Sequence, residues 1–394
     1  MMKIAFVKQK YSDFGGAERY LAALIEHFAK SEHEIHLFAG EWNVRKKETD
    51  VAPPRITFHK VPIIRGLSFL EVLSFALNAR RMLKREQFDI IHSFERTLYQ
   101  DVYRASDGCH REWLIQRQKI DPWYKFFLHK INPLHLSILW IESKIFREGN
   151  GRTIIAISKR VKEEIVKHYG VPPEKIKVVY NAIDTNRFDL KDKEATRNAV
   201  RQTLGILQTI PVLLFVGSGF QRKGLPFAIK ALARLDFDVR LMVIGKDKIS
   251  PYRALAKKEG VEKRVIFLGP LADVEKYYCA SDLFVFPTIY EPFGNVCLEA
   301  MAAGIPLVTS RICGGSEVLD EGKNGYIIDD PTDPVEIAHK IRSGLALKKQ
   351  TVQDFNRTAL QTYSWKRYLE EMSILYDALH KEKMLSNHTH DKQG

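Results

Sequence analysis

The residues Phe286-Pro-Thr-Ile-Tyr-Glu291-Pro-Phe-Gly294-Asn-Val-Cys-Leu-Glu299-Ala-Met-Ala-Ala-Gly304-Ile-Pro306 read as a strand end, a short loop, a helix over roughly 294–303 and the start of another strand. A helix start leaves backbone N–H groups without intrahelical partners, here near Gly294, Asn295 and Val296, and with the macrodipole they attract an anion. Gly294 lets a phosphate approach the backbone closely. Glu299 sits about one turn in, where a carboxylate can accept two vicinal hydroxyls such as those of a ribose. Glu291, in the loop before the helix, is placed to reach sugar hydroxyls or to steady a positive centre. A capped structural helix with an ordinary acidic first turn is the plain alternative; glycine, strand end and helix start together favour a site. A second run, Phe215-Val-Gly217-Ser-Gly219-Phe-Gln-Arg222-Lys223-Gly224, also follows a strand. Its glycines open the loop and Arg222 with Lys223 supply adjacent cations, a combination that holds a diphosphate without a metal and meets charge growing on a departing phosphate. A solvated basic loop is its alternative.

Gly15 and Gly16, in Phe14-Gly15-Gly16-Ala17-Glu18-Arg19, likewise follow a strand and open a helix, as a tight turn or as a loop touching the transferred group. Neither GxGxxG nor GxxxxGK[ST] occurs, so a dinucleotide enzyme and a P-loop NTPase are unsupported. Asp236-Phe237-Asp238 has the spacing of a divalent-cation pair, yet it precedes a strand, whereas open parallel sheets bind ligands at the carboxyl ends. The 13 histidines show no zinc-ligand spacing.

Residues 3–7, 35–39, 56–61, 88–93 and 153–157 are strand-like runs separated by helical ones, and a second series follows at 212–216, 239–244, 265–268, 283–287 and 306–309. Strands alternating with helices imply an α/β fold, two doubly wound parallel sheets in series with a cleft between. The polar stretch 185–198 reads as the linker, and 365–384 as an amphipathic helix with a frayed polar tail after it. A length of 394 residues fits two to three domains. With 45% hydrophobic and 28% charged residues the chain is neither disordered nor collagen-like. Charge is less ordinary: 61 Lys and Arg against 48 Asp and Glu leave +13, of which the residues up to Thr185 carry +9. Such a surface attracts phosphate-rich partners, whether nucleotide, nucleic acid or anionic membrane. Cys109, Cys279, Cys297 and Cys313 are too few and too scattered for a disulfide framework, which fits a reducing cytosol. The amino terminus is too short in apolar residues for a signal peptide, and no run reaches the ~18 apolar residues of a spanning helix.

Taken together these residues resemble the retaining GT-B glycosyltransferases of family four, over nearly the whole chain. Gly15-Gly16-Ala17-Glu18-Arg19 resembles the amino-terminal GG loop of that family. Ala156-Ile-Ser158-Lys159 and Val178-Val-Tyr-Asn181-Ala-Ile-Asp184 resemble its paired marks before the linker. Lys223-Gly224 is similar to the KG of its donor loop, Glu291 to Glu299 to its paired-glutamate motif, and the segment after Tyr363 to its crossover helix. Ser218 stands where the family often has Arg. The resemblance implies an amino-terminal acceptor domain over 1–185, a nucleotide-sugar domain over 186–362, a crossover helix over 363–385 and a frayed tail over 386–394. It also implies Glu299 on the donor ribose, Glu291 on the donor sugar, Lys223 with Arg222 on the diphosphate, and neither metal nor cofactor, the nucleotide sugar being a substrate. Asp101-Val-Tyr-Arg-Ala-Ser-Asp107-Gly-Cys109-His110 is similar to the members that build the lipopolysaccharide core, implying that Asp101 and Asp107 face the acceptor. One of them, or His110, would accept the acceptor's hydroxyl proton. Aromatics interleave with cations over 113–130, as in a segment lying on an anionic membrane or a core helix with snorkelling cations; no nucleic-acid module is present. The reading is a peripheral enzyme at the cytoplasmic membrane face that moves a hexose, glucose from UDP-glucose, to a lipid-linked saccharide with retention and no metal. Its rivals are the same transfer from UDP-N-acetylglucosamine or a GDP-sugar, and an idle nucleotide-sugar-binding protein.

Overall fold

The first unit of the chain is built on the strands β1 (Lys3–Ser12), β2 (Glu34–Asn43), β3 (Ile56–Lys60), β4 (Ile90–Ser93), β5 (Gln100–Ala105), β6 (Gly151–Ala156) and β7 (Ile176–Val178). They form one parallel sheet in the order β3-β2-β1-β4-β5-β6-β7. The computed structural model describes residues 1–12, 16–31, 33–43, 56–147 and 151–390. The unit comprises Met1–Tyr180 and Lys366–Gly394, the second Asn181–Trp365, so the division falls short of residue 185. Ile4, Ala5, Phe6 and Val7 of β1 have no exposed surface, as a central parallel strand covered on both faces requires. β5 was not apparent from periodicity, because Gln100-Asp-Val-Tyr-Arg-Ala carries three polar residues; all six are buried nonetheless. The guanidinium of Arg104 lies over the rings of Tyr20, Tyr368 and Phe94, so aromatic faces take the place of an apolar pattern. The closing helix, Trp365–His390, continues through residues 386–390, where a frayed tail was expected; 391–394 lie outside the described residues. It packs on this unit, with Tyr376 Oη 2.5 Å from His92 Nδ1, its ring stacked on Phe28, and Lys383 Nζ 2.6 Å from an Asp101 carboxylate oxygen.

In the second unit β8 (Val212–Val216), β9 (Arg240–Ile244), β10 (Val265–Gly269), β11 (Leu283–Phe286), β12 (Leu307–Ser310) and β13 (Gly325–Ile328) form a parallel sheet ordered β10-β9-β8-β11-β12-β13. Strand order reverses at β1/β4 in the first unit and at β8/β11 in the second, and ligands of such sheets bind outside the carboxyl ends at those places. The polar stretch 185–198 is not a linker. Thr185–Phe188 is a 3-10 turn and Lys193–Thr203 a helix whose start is capped by Asp192, its carboxylate accepting from Ala195 N at 2.8 Å. An arginine, not an apolar stripe, anchors that helix. Arg201 is fully buried, with Nη2 2.6 Å from Asp282 and donors aimed at the carbonyls of Ala280, Gln208 and Ile210.

Candidate functional site

β8 runs out at Val216 into Gly217 and a tight turn, Phe220–Lys223, closed by Gly224. Gly224 has φ +83°, and a Cβ there would lie 1.8 Å from the carbonyl oxygen of Pro287, so only glycine lets this turn pass against the exit of β11. Two hydrogen bonds stitch the loops: Thr288 Oγ1 and Ile289 N donate to Arg222 O at 2.9 and 3.0 Å. Arg222 Nη1 then donates to Tyr290 O at 3.0 Å and to Glu291 Oε2 at 2.9 Å, and Lys223 Nζ bonds the same carboxylate oxygen. Burial alone would raise the Glu291 carboxyl, but Lys223 and Arg222 outweigh it and hold the group below the ordinary glutamate range.

Gly294, at φ +85°, turns the chain into the helix Asn295–Ala303, and no side chain caps that start. A Cβ on Gly294 would meet Glu291 Cγ at 3.1 Å, which ties the bend to the glutamate. Asn295 Oδ1 accepts from Asn181 Nδ2 at 2.6 Å. One turn further, Glu299 Oε2 accepts from the hydroxyl of Tyr278 at 3.0 Å. Gly217, Arg222, Lys223, Glu291, Gly294, Asn295, Val296 and Glu299 are thus gathered on the loops after the adjacent strands β8 and β11 and on the helix that follows, at the switch point of this sheet. Tyr278 and Asn181 were missed as site residues. Both act from other elements, and no local spacing links them to the motif. Ser218, in place of the family's Arg, accepts from Lys246 N at 3.1 Å and so joins the loops after β8 and β9.

The first unit does not bring its three candidates together. Asp101 lies at the amino end of β5, buried, accepting from Ile91 N at 2.9 Å and from Lys383; it holds strand and closing helix rather than facing a ligand. Asp107 follows the carboxyl end of β5, at the other end of the strand from Asp101, exposed and 3.3 Å from Arg96 Nη1. His110 Nε2 lies 3.1 Å from His135 Nδ1, and burial with Arg96 and His135 pushes its ring down to about 3, so it stays uncharged and takes a proton poorly. The hub here is a residue the sequence did not single out, Glu142. Fully buried, it accepts from Arg96 Nε at 3.0 Å, His110 N at 2.9 Å and Tyr169 Oη at 2.8 Å. Gly16 opens the helix Gly16–Lys30, while Gly15 lies outside the described residues. Asp236 pairs with Arg342 and Asp238 with Arg240, before β9 and away from the carboxyl ends. Among the described residues no three His, Cys, Asp or Glu side chains are grouped to hold a metal ion.

Comparison with known proteins gives the family and the fold. The family described as glycosyl transferases group 1 matches residues 196–361, and that described as glycosyltransferase family 4 matches residues 14–187. The chain is 28% identical over 348 residues to the lipopolysaccharide glucosyltransferase WaaG of Escherichia coli (strain K12), covering 87% of this chain and 90% of that protein. The crystal structure of WaaG, a glycosyltransferase involved in lipopolysaccharide biosynthesis, superposes with a TM-score of 0.76 at 25% identity, over 95% of this chain and 99% of that one. Anabaena HepE in complex with UDP-glucose shares the fold, with a TM-score of 0.71 at 20% identity over 96% and 100% of the two chains.

Proposed function

Since the chain belongs to the GT-B glycosyltransferases, with a family 4 amino-terminal half and a group 1 carboxyl-terminal half, we propose that it moves glucose from UDP-glucose to the saccharide of a lipopolysaccharide core or a similar lipid-linked acceptor. One observation carries the donor half of this reading: Arg222 and Lys223 converge on Glu291 beside an uncapped helix start, with Glu299 one turn away. The cations and helix N–H groups take the diphosphate, and they meet the charge that grows on it as the glycosidic bond breaks, in the role a metal plays elsewhere. Glu299 takes the ribose hydroxyls and Glu291 faces the sugar. Retention is carried over from the family resemblance, and glucose and the core acceptor from the likeness to WaaG. On the acceptor side Asp107 is the exposed carboxylate at a strand's carboxyl end, and so the better placed proton acceptor of the candidates.

The test is donor hydrolysis and thermal shift across UDP-, GDP- and ADP-sugars with EDTA present throughout. A shift and slow hydrolysis specific to UDP-glucose are expected. Preference for another nucleotide sugar would replace the donor, activity restored only by a divalent cation would remove the metal-free mechanism, and binding without turnover of any donor would leave an idle binder.

The same reading places the enzyme on an anionic membrane. The helices Trp123–Ile131 and Pro133–Arg147 expose Trp123, Tyr124, Leu128, Ile131, Leu136 and Trp140, with Trp123 79% and Ile131 70% exposed. Lys119, Lys130 and Arg147 are exposed on the same stretch. Aromatic and aliphatic side chains beside cations suit the headgroup boundary of anionic lipid, and no helix among the described residues is long and apolar enough to cross a membrane. Changing Trp123 and Ile131 together to Ser is expected to weaken sedimentation with phosphatidylglycerol vesicles by about tenfold or more, leaving neutral phosphatidylcholine vesicles a weak background. Equal binding of native and doubly substituted protein would exclude this face.

A further inference from the structure

We propose that Tyr278 is a positioning residue that aims the Glu299 carboxylate at the donor ribose; the inference rests on the nucleotide-sugar reading of this site. Glu299 stands on the helix Asn295–Ala303, so its backbone is fixed by helix geometry while its side-chain torsions are not. A pair of vicinal hydroxyls needs both carboxylate oxygens turned toward it, and an unrestrained glutamate must be ordered when the ligand arrives. Tyr278 supplies the restraint in advance. It belongs to a different element, the helix Glu275–Ala280, and has no exposed surface.

Its ring is wedged between that of Phe188, edge-on at 5.7 Å, and that of Phe284, stacked at 5.7 Å, so the phenol cannot swing. From that clamp the hydroxyl reaches Glu299 Oε2 at 3.0 Å and lies 3.4 Å from the carbonyl of Val296, at the helix start itself. Burial and the adjacent Glu299 carboxylate push the phenol well above the usual tyrosine range, so it stays protonated and donates. A carboxylate has about four acceptor directions, and the bond from Tyr278 occupies one of them at Oε2 while restraining the rotation of the group. The clamp is anchored further out: Glu275 pairs with Arg187, next to Phe188.

The experiment compares native protein with Tyr278→Phe, which keeps the ring and deletes only the donor. Calorimetry measures binding of UDP, GDP and ADP, then of the dideoxyribose analogue of whichever binds best; steady-state kinetics follow with the matching sugar donor. Tyr278→Phe is expected to bind the preferred nucleotide about five- to tenfold more weakly. Donor KM should rise by the same factor with kcat within about twofold, as for lost ground-state binding, and the difference between the two proteins should vanish with the dideoxyribose analogue. Glu299→Gln placed on Tyr278→Phe should add less than it does alone, since the two residues act on one contact. An equal loss for the ribose and dideoxyribose forms would overturn the positioning role, as would unchanged KM and affinity. Native protein that binds none of the three nucleotides would overturn the donor reading and this inference with it.

Discussion

Glu291→Gln is expected to cut transfer by about a hundred- to a thousandfold, the usual effect of removing one preorganised charge-stabilising group, while UDP alone binds as tightly as before or tighter. The opposite signs follow from the geometry. Arg222 and Lys223 both spend charge on one carboxylate oxygen, and a nucleoside diphosphate brings its own negative charge to the same two cations. Glutamine keeps the shape but withdraws the competing charge, so the product-like nucleotide gains what the protein's carboxylate gives up. Turnover behaves differently, because in the proposed reaction Glu291 faces the sugar as its bond breaks. Without nucleotide the variant holds two neighbouring cations with no counter-charge, so its thermal midpoint should fall and recover on adding UDP. The pH dependence has a definite sign. Since the folded-state carboxyl is held below its ordinary value, the stability it contributes is present above the unfolded pKa and is lost as pH falls through the lowered folded one. In the free enzyme Glu291 therefore sets no acid limb to the kcat/KM profile within the ordinary glutamate range. Activity within tenfold of native, or UDP affinity falling in step with activity, would remove Glu291 from the reacting centre.

Legibility differed between the two units for a physical reason. In the second unit the strands after 212 are apolar runs, and the glycines and charged residues of the site sit within a few positions of a strand end, so sequence order and spatial order coincide. Arg222, Lys223, Glu291 and Glu299 could be placed because one switch point gathers the ends of adjacent strands. Tyr278 could not, since its bond to Glu299 spans 21 residues and depends on how two helices pack. In the first unit β5 hides behind Gln100, Asp101 and Arg104, whose burial is met by partners distant in the chain. Asp101 thus reads as a ligand-facing residue beside Asp107, although the two lie at opposite ends of β5. His110 had a suggestive neighbourhood, but its ring is turned to His135 and kept neutral by burial. Glu142 gave no signal at all in an apolar helical run, and it is the residue on which Arg96, His110 and Tyr169 converge.

The helix that starts in the polar stretch 185–198 carries the second large effect, Arg201→Met, expected to destabilise the second unit by about 3–5 kcal/mol, since three carbonyls lose the donor that satisfies them at about 1–3 kcal/mol each. Methionine fills much of the volume of the arginine stem, so the loss comes from polar groups and not from a cavity. The guanidinium satisfies the carbonyls of Ala280, Gln208 and Ile210 and one oxygen of Asp282, and water cannot replace it where the side chain is only 1% exposed. Asp282 keeps Arg197 and its bond to Val212 N, so the start of β8 stays pinned while the helix Lys193–Thr203 comes loose. For a unit of this size the change corresponds to roughly 10 °C in the midpoint of its transition. Because two units need not unfold together, the transition should be assigned by its response to UDP, which raises only the step that destroys the donor site. Arg201→Lys should fall between, since an ammonium keeps the charge opposite Asp282 but cannot reach three carbonyls at once. A shift below about 2 °C for the methionine variant would mean that the helix is held by its surface contacts alone, and that the polar stretch is closer to a linker than its buried arginine implies.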